Sequence, residues 1–270
     1  MKSLHYSTII SAIICATLVF SSCRKDRRDT LGSSISTDNS TAENLFSDMF
    51  KVVDNVSATT EGIRENEFGC IDTILVDTLS NPRSVTIDFG TDECVGEDGR
   101  IRTGILHVTY TGRYREPGTE ITITPENYTV DGYSINGTKT IENLGFNDSG
   151  QLHFSIIAYG TISAPDNAWT VSWQSDRVRT WVEGQSTATI WDDVYEISGT
   201  GSGVNRNSIP YSLLITSPLR AEVGCRWIVS GAMSIEPEDF ATRYIDFGNG
   251  ECNNGFTVTV NGEEYQLGSE

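Results

Sequence analysis

From Gly69 to its end the chain alternates apolar and polar residues with a period of two, and no second helical pattern interrupts that alternation. Leu106, Val108 and Tyr110 alternate with His107, Thr109 and Thr111, and Leu152, Phe154 and Ile156 alternate with His153 and Ser155. The same phase returns at Trp169, Val171 and Trp173, at Tyr211, Leu213 and Ile215, at Cys225, Trp227 and Val229, and at Phe256, Val258 and Val260. A period of two places successive side chains on opposite faces of a strand, so each run reads as a strand with one buried face. Turn signals separate the runs, among them Pro117-Gly118, Asp131-Gly132, Asn136-Gly137, Asp148-Ser-Gly150, Pro165-Asp166, Glu183-Gly184, Gly201-Ser-Gly203 and Asn261-Gly262. Connections this short fit antiparallel hairpins, because parallel pairs need crossovers of a dozen or more residues. The expected fold is all-β: an antiparallel meander over 57–270, folded as a sandwich or a strongly curved sheet and forming one domain.

One helix precedes it. Ser40 and Glu43 have capping-box spacing, and Leu45, Phe46, Met49, Phe50, Val53 and Val56 recur at three and four, predicting an amphipathic helix over 41–56 that covers one end of the core. Residues 23–40 carry charge and serine with little apolar content and read as a flexible tether.

The first 22 residues have the order of a secretory signal: Lys2, an apolar run from Ile9 to Phe20 too short to span a bilayer, then Ser21 and Ser22. Phe20-Ser21-Ser22-Cys23 resembles a bacterial lipobox, with Phe in place of the usual Leu. That resemblance implies cleavage before Cys23, acylation of Cys23, and a membrane partner reached through the lipid rather than through a span. Removing residues 1–22 takes away Lys2 and no acid, so the processed chain is one unit more negative than the full chain's -18.

That charge, from 19 Lys+Arg against 37 Asp+Glu, argues against nucleic acid as a partner. The four lysines are Lys2, Lys25, Lys51 and Lys139, which leaves none beyond position 139 for a Schiff base or a phosphate loop.

Ile87-Asp-Phe-Gly-Thr-Asp-Glu-Cys94 is echoed by Ile245-Asp-Phe-Gly-Asn-Gly-Glu-Cys252, and Gly69-Cys70 by Gly224-Cys225. An exported chain should pair the four cysteines Cys70, Cys94, Cys225 and Cys252. Residues facing each other in an antiparallel hairpin have position numbers of constant sum. Cys70 and Cys94 sum to 164, centring a turn on Pro82, and Cys225 and Cys252 sum to 477, centring one between Glu238 and Asp239. Two proline-containing turns therefore favour Cys70 with Cys94 and Cys225 with Cys252 over the cross-unit pairs Cys70 with Cys225 and Cys94 with Cys252.

Asp98-Gly-Arg-Ile-Arg-Thr-Gly-Ile-Leu-His-Val-Thr-Tyr-Thr-Gly-Arg-Tyr114, Gly137-Thr-Lys-Thr140, Cys225-Arg-Trp-Ile-Val-Ser-Gly231 and Ile245-Asp-Phe-Gly248 carry a resemblance of residues 85–270 to an uncharacterised family of Bacteroidota-type envelope lipoproteins. The resemblance implies the cell envelope, as an outer-membrane lipoprotein, and supplies no activity or ligand. In such relatives acidic residues after the lipid cysteine resemble a surface-exposure signal. Here Arg24 to Asp29 is mostly basic, so the membrane face stays open.

Catalytic patterns are sparse. His107 and His153, the histidines beyond the signal, sit on the polar phase of strands, and there is no Gly-x-Ser-x-Gly elbow, no His-Glu-x-x-His and no closely spaced cysteine pair. Gly199-Thr-Gly-Ser-Gly203 lacks the Lys-Ser/Thr ending of a phosphate loop and reads as a turn or bulge. Asp88, Asp92, Glu93, Glu97 and Asp98 offer oxygens to calcium without the spacing of a calcium loop. Glu183, Asp192 and Asp193 flank Trp191 and are the carboxylates a glycoside hydrolase would need. Trp181 shares its phase with Arg177 and Arg179, which would set a tryptophan and two arginines on one open face able to stack on a sugar or grip an acidic glycan. The leading expectation is a lipid-anchored, non-enzymatic scaffold or binding domain without a cofactor, whose partner is an envelope protein or a glycan. The alternatives are a glycan-binding module using Arg177, Arg179 and Trp181, and a carboxylate-based hydrolase.

Overall fold

The computed structural model describes residues 34–56, 69–187 and 189–268. The expected signal peptide, the expected lipobox and Cys23 lie outside the described residues, as does the side chain of Cys94. Helix α1 covers 34–56. It is followed by β1 (Thr73–Asp77), β2 (Arg83–Asp88), β3 (Cys94–Val95), β4 (Ile101–Tyr110), β5 (Glu120–Val130), β6 (Tyr133–Phe146), β7 (Leu152–Ser163), β8 (Thr170–Glu183), β9 (Val194–Val204), β10 (Pro210–Glu222), β11 (Ile228–Pro237), β12 (Arg243–Asn249), β13 (Phe256–Val260) and β14 (Glu263–Leu267). Among the described residues no helix is long and apolar enough to cross a membrane.

The strands pair antiparallel in chain order as one fourteen-stranded meander, with β3 beside the main path on β4 and with β1 and β14 as the ends of that path. The expected turns Asp131-Gly132 and Asn261-Gly262 are two-residue hairpin turns, closed by Val130↔Tyr133 and Val260↔Glu263. Both central residues of each have positive φ, as a primed turn needs. Asn136-Gly137 and Gly201-Ser-Gly203 do not turn; they lie inside β6 and β9. There the missing side chains let neighbouring strands approach. A Cβ on Gly137 would sit 2.1 Å from the Tyr159 carbonyl oxygen, and one on Gly203 would sit 2.7 Å from the Tyr211 hydroxyl.

One sheet, strongly curved, is the architecture rather than a sandwich. β4 and β11 are seven strand spacings apart along the path, roughly 33 Å on a flat sheet. A helix with its side chains is only about 10–12 Å across. Yet α1 touches both: Arg102 of β4 donates to Asp48, and the Asn39 amide lies 3.3 Å from Met233 Sδ of β11. The sheet must therefore wrap around the helix. Register shifts in the β4/β5, β5/β6 and β10/β11 pairs supply bulges that increase its coil.

The helix differs from expectation in both extent and place. It begins at 34, so residues 34–40 belong to it and not to a tether, and the Ser40–Glu43 spacing is interior; the Asn44 side-chain amide donates to the Ser40 carbonyl. Nor does α1 cap one end of the core. Leu45, Phe46, Met49, Phe50, Val52, Val53 and Val56 are buried among β2 to β9, and Ile35 packs with β9 to β13. Such a helix is buried on nearly every side, and each large apolar side chain withdrawn from water contributes roughly 1.5–3 kcal/mol. Helix propensity along 34–40 is weak; enclosure by the sheet overrides it.

Cys225 and Cys252 are disulfide-bonded, with Cα atoms 5.7 Å apart, which excludes both cross-unit pairs. Pairs in β11/β12 such as Met233↔Ile245 sum to 478, half a residue from the expected centre. The first hairpin departs further: Thr73↔Asp88 sums to 161, centred between Ser80 and Asn81 instead of on Pro82. β2 stops at Asp88, and β3 leaves to pair with β4. Cys70 is disulfide-bonded. The echoed octapeptides share a local cause: Asp88 Oδ1 accepts from the Gly90 N–H and Asp246 Oδ1 from the Gly248 N–H, each at 2.8 Å, turning the chain and burying Phe89 and Phe247.

Candidate functional site

Acids on α1 recur at Asp38, Glu43, Asp48 and Asp54. Steps of five, five and six residues rotate a side chain by about 140°, 140° and 240° around a helix of 3.6 residues per turn, so consecutive acids point at different parts of any surrounding wall. Each finds its own partner there. Arg206, after β9, donates through Nε to Asp38 Oδ1 at 2.7 Å. Arg177 of β8 donates to Glu43 at 2.8 Å. Arg102 of β4 grips both Asp48 oxygens, and Arg100 adds a contact at 3.3 Å. The Tyr195 hydroxyl of β9 donates to Asp54 at 3.3 Å. Burial pushes the Asp48 carboxyl up, but Arg102 and Arg100 outweigh it and hold the group below the usual carboxylate range. Burial, reinforced by neighbouring arginines, lowers two lysines: Lys51 to about 8 and Lys139 to about 7. Both ammonium groups donate to backbone carbonyls, Lys51 to Cys225 and Lys139 to Phe46, each at 2.7 Å.

Arg177, Arg179 and Trp181 do share one face, but it is the inner one; at 3%, 4% and 1% exposure they form no open patch. β8 runs unbroken from Thr170 to Glu183, so these residues continue the inward phase of Val171 and Trp173. Arg179 lies 3.3 Å over the Phe50 ring of α1 and donates to the Tyr114 hydroxyl, while Arg115 sits over Trp181. Arg177 and Arg179 thus hold the helix in the sheet, and Trp181 packs beside them on Tyr114 and Tyr195.

The other candidates do not converge. His107 meets Glu126 at 2.7 Å on the exposed face, and His153 meets the Gly145 carbonyl. Glu183 pairs with Arg220 at the surface, Asp192 accepts from Thr187, and Asp193 is buried near the Tyr195 hydroxyl. Of the acidic first hairpin, Asp88 accepts from Gly90, and Asp98 accepts from Arg102 and from the Arg100 N–H. Among the described residues no three His, Cys, Asp or Glu side chains form a group able to hold a metal.

A different place is chemically equipped. The less buried stripe of α1 is Ser34, Thr37, Ser40, Thr41, Asn44, Ser47 and Lys51, spaced by threes and fours and polar throughout. Its middle part, Thr37, Ser40, Thr41 and Asn44, faces a seam where the sheet wraps back toward itself. The β5–β6 turn and the β10–β11 corner, five strands apart in the path, meet there. Arg226 donates to Asp131 Oδ2 at 2.7 Å, and Arg100 Nη2 donates to the Arg226 carbonyl at 3.0 Å. Between them opens a pocket of about 230 Å3. Ser40, Thr41 and Asn44 of α1 line one side, Asp131 and Tyr133 a second, Arg226 and Trp227 a third, and Phe256 of β13 lies beneath. Sequence reasoning missed this site. Its signals were a polar stripe beginning at Ser34 and an aromatic residue beside each of two corners, Tyr133 after Asp131-Gly132 and Trp227 after Cys225-Arg226. No family model, curated protein or solved structure matches this chain.

Proposed function

We propose that the protein is a lipid-anchored, non-enzymatic binding domain of the cell envelope, an outer-membrane lipoprotein acylated at Cys23. The observation that carries the binding reading is the filled interior. The hollow of the curved sheet holds α1, and the four acids named above are each engaged by arginine or tyrosine, so recognition falls to the outer surface and the seam. The anchor reading is supported by the order Lys2, apolar run, Ser21-Ser22-Cys23, and by the short reach that follows it. The eleven steps from Cys23 to Ser34 span at most about 40 Å fully extended, which keeps the domain near the bilayer surface. A scaffold with a protein partner fits the same frame.

The experiment is fractionation of cells expressing the full chain or its Cys23→Ala variant, with metabolic labelling by a fatty-acid analogue. The expected result is labelled, membrane-bound parent and unlabelled, released variant. Membrane retention and labelling unchanged by the substitution would remove the anchor. A variant with both His107 and His153 changed to Gln should keep the binding activity; a loss of a hundredfold or more without unfolding would turn the reading toward an enzyme.

A further inference from the structure

We infer that the seam pocket formed by α1, the β5–β6 turn and the β10–β11 corner binds one uncharged sugar ring of a glycan, an inference that rests on the reading of the protein as a binding domain. A sugar ring offers two surfaces: a face of C–H groups that packs on aromatic rings, and an edge of hydroxyls that each donate and accept. The pocket supplies partners for both. Tyr133 and Trp227, half-buried at its sides, are the aromatic surfaces. Arg226, Asn44 and the Ser40 hydroxyl supply donors for the ring's hydroxyls, and the Ser40 hydroxyl and Asp131, whose oxygens also accept from the Ile101 N–H and Arg226, supply acceptors. Arg226, its side chain 37% exposed, is the charged donor of the lining.

Charge decides which sugar. The Arg226 guanidinium is balanced by Asp131 at 2.7 Å, and Arg100 is committed to Asp48 and to the Arg226 carbonyl. The pocket is thus close to neutral, within a chain of formal charge -18 that repels uronic, sialic or sulfated units. Size decides how much of it is held: about 230 Å3 encloses a single ring and leaves the rest of a chain outside. One ring in an open pocket gives a Kd on the order of 1 mM, so recognition of a glycan surface would depend on many anchored copies acting together.

The test uses the chain processed at residue 22 with Cys23→Ala, which removes the lipid and nothing else from the domain. It is screened by saturation-transfer NMR and on an array of neutral gluco-, manno-, galacto- and N-acetylhexosamine oligosaccharides, with uronic-acid and sulfated glycans alongside. The expected result is binding to neutral glycans, weakened at least tenfold by Trp227→Ala and by Arg226→Gln, retained within about threefold by Trp227→Phe, and untouched by Tyr265→Ala at an exposed aromatic outside the pocket. Should Trp227→Ala fail to fold, Arg226→Gln and Trp227→Phe carry the comparison. Absence of binding to any neutral glycan, a preference for the acidic glycans, or pocket variants that bind like the parent would each overturn the inference. Membrane release of Cys23→Ala is read separately, so a failed pocket and a failed anchor give different results.

Discussion

Arg102 grips Asp48 across 54 residues of chain: Nη2 lies 2.6 Å from Oδ1 and Nε 3.1 Å from Oδ2, with both side chains 1% exposed. The Tyr128 hydroxyl donates to the same carboxylate, and Asp98 takes the opposite side of the Arg102 fork. The pair fixes the rotation and height of α1 inside the sheet. A buried pair of this kind contributes little net stability against an apolar replacement, yet breaking it leaves a charge stranded out of water.

Arg102→Met or Asp48→Leu alone should therefore lower unfolding free energy by about 3–5 kcal/mol, while the double variant should lose less than the sum of the two and recover only in part, because Arg100 and Asp98 keep their own need of a partner. Urea midpoints of the four proteins check it. A double variant as unstable as the sum of the singles would show that the ions themselves, and not their mutual need, carry the stability.

Stability should rise with pH above neutrality. With Lys139 lowered from 10.5 to about 7 and Lys51 to about 8, the unfolded chain binds protons that the folded chain does not from about pH 7 to 10.5, so unfolding becomes harder as pH rises through that window. The groups facing Lys139 are the Phe46 carbonyl, the Phe50 ring and the charges of Arg179, Glu43 and Asp48. Each lysine contributes at most about 1.4 kcal/mol per pH unit. Denaturation at pH 6.5, 8 and 9.5 should show the rise in the parent and a smaller one in Lys139→Met; an identical slope in both would refute the assignment.

Closing a loop of separation 27, the Cys225–Cys252 disulfide stabilises the domain by about 3.5 kcal/mol on the chain-entropy estimate. The double Ala variant should lose about that much in chemical denaturation. Non-reducing peptide mapping of the parent should also join the 70 region to the 94 region; a peptide linking Cys70 to any other cysteine would contradict the hairpin pairing.

Gly160 lies opposite Gly137 on β6 and Trp173 on β8, and a Cβ there would stand 2.0 Å from the Asn136 carbonyl oxygen. Backbone cannot rotate away as a side chain can, so Gly160→Ala should cost about 1–3 kcal/mol or more. The matching change at exposed Gly99, where nothing lies within 4 Å, should cost only the smaller penalty of its positive φ. Thermal melts of the two variants rank them; equal losses would mean that β6 and β7 separate freely.

Legibility followed the range of the interaction. Asp131-Gly132 and Asn261-Gly262 were readable as turns because the signal is two adjacent residues with a backbone preference. Asn136-Gly137 has the same signature and is strand, because the strand across from it needed the space. The direction of Arg177, Arg179 and Trp181 was present in their shared parity with Val171 and Trp173, but arginine is ordinarily a surface residue, and only α1 makes the inward arginines tolerable, with Glu43 for Arg177 and the Phe50 ring for Arg179.

The sequence by itself determined the class of fold, the antiparallel chain-order pairing and the Cys225–Cys252 partnership, since each rests on a period of two and on turns between neighbours. The extent of α1, its place inside the sheet and the pocket at the seam were decided by tertiary structure alone. The pattern of α1 says that most of its sides want burial and one stripe does not. Which surface surrounds it depends on how far fourteen strands coil, and that curvature accumulates from bulges and small twists no single segment encodes.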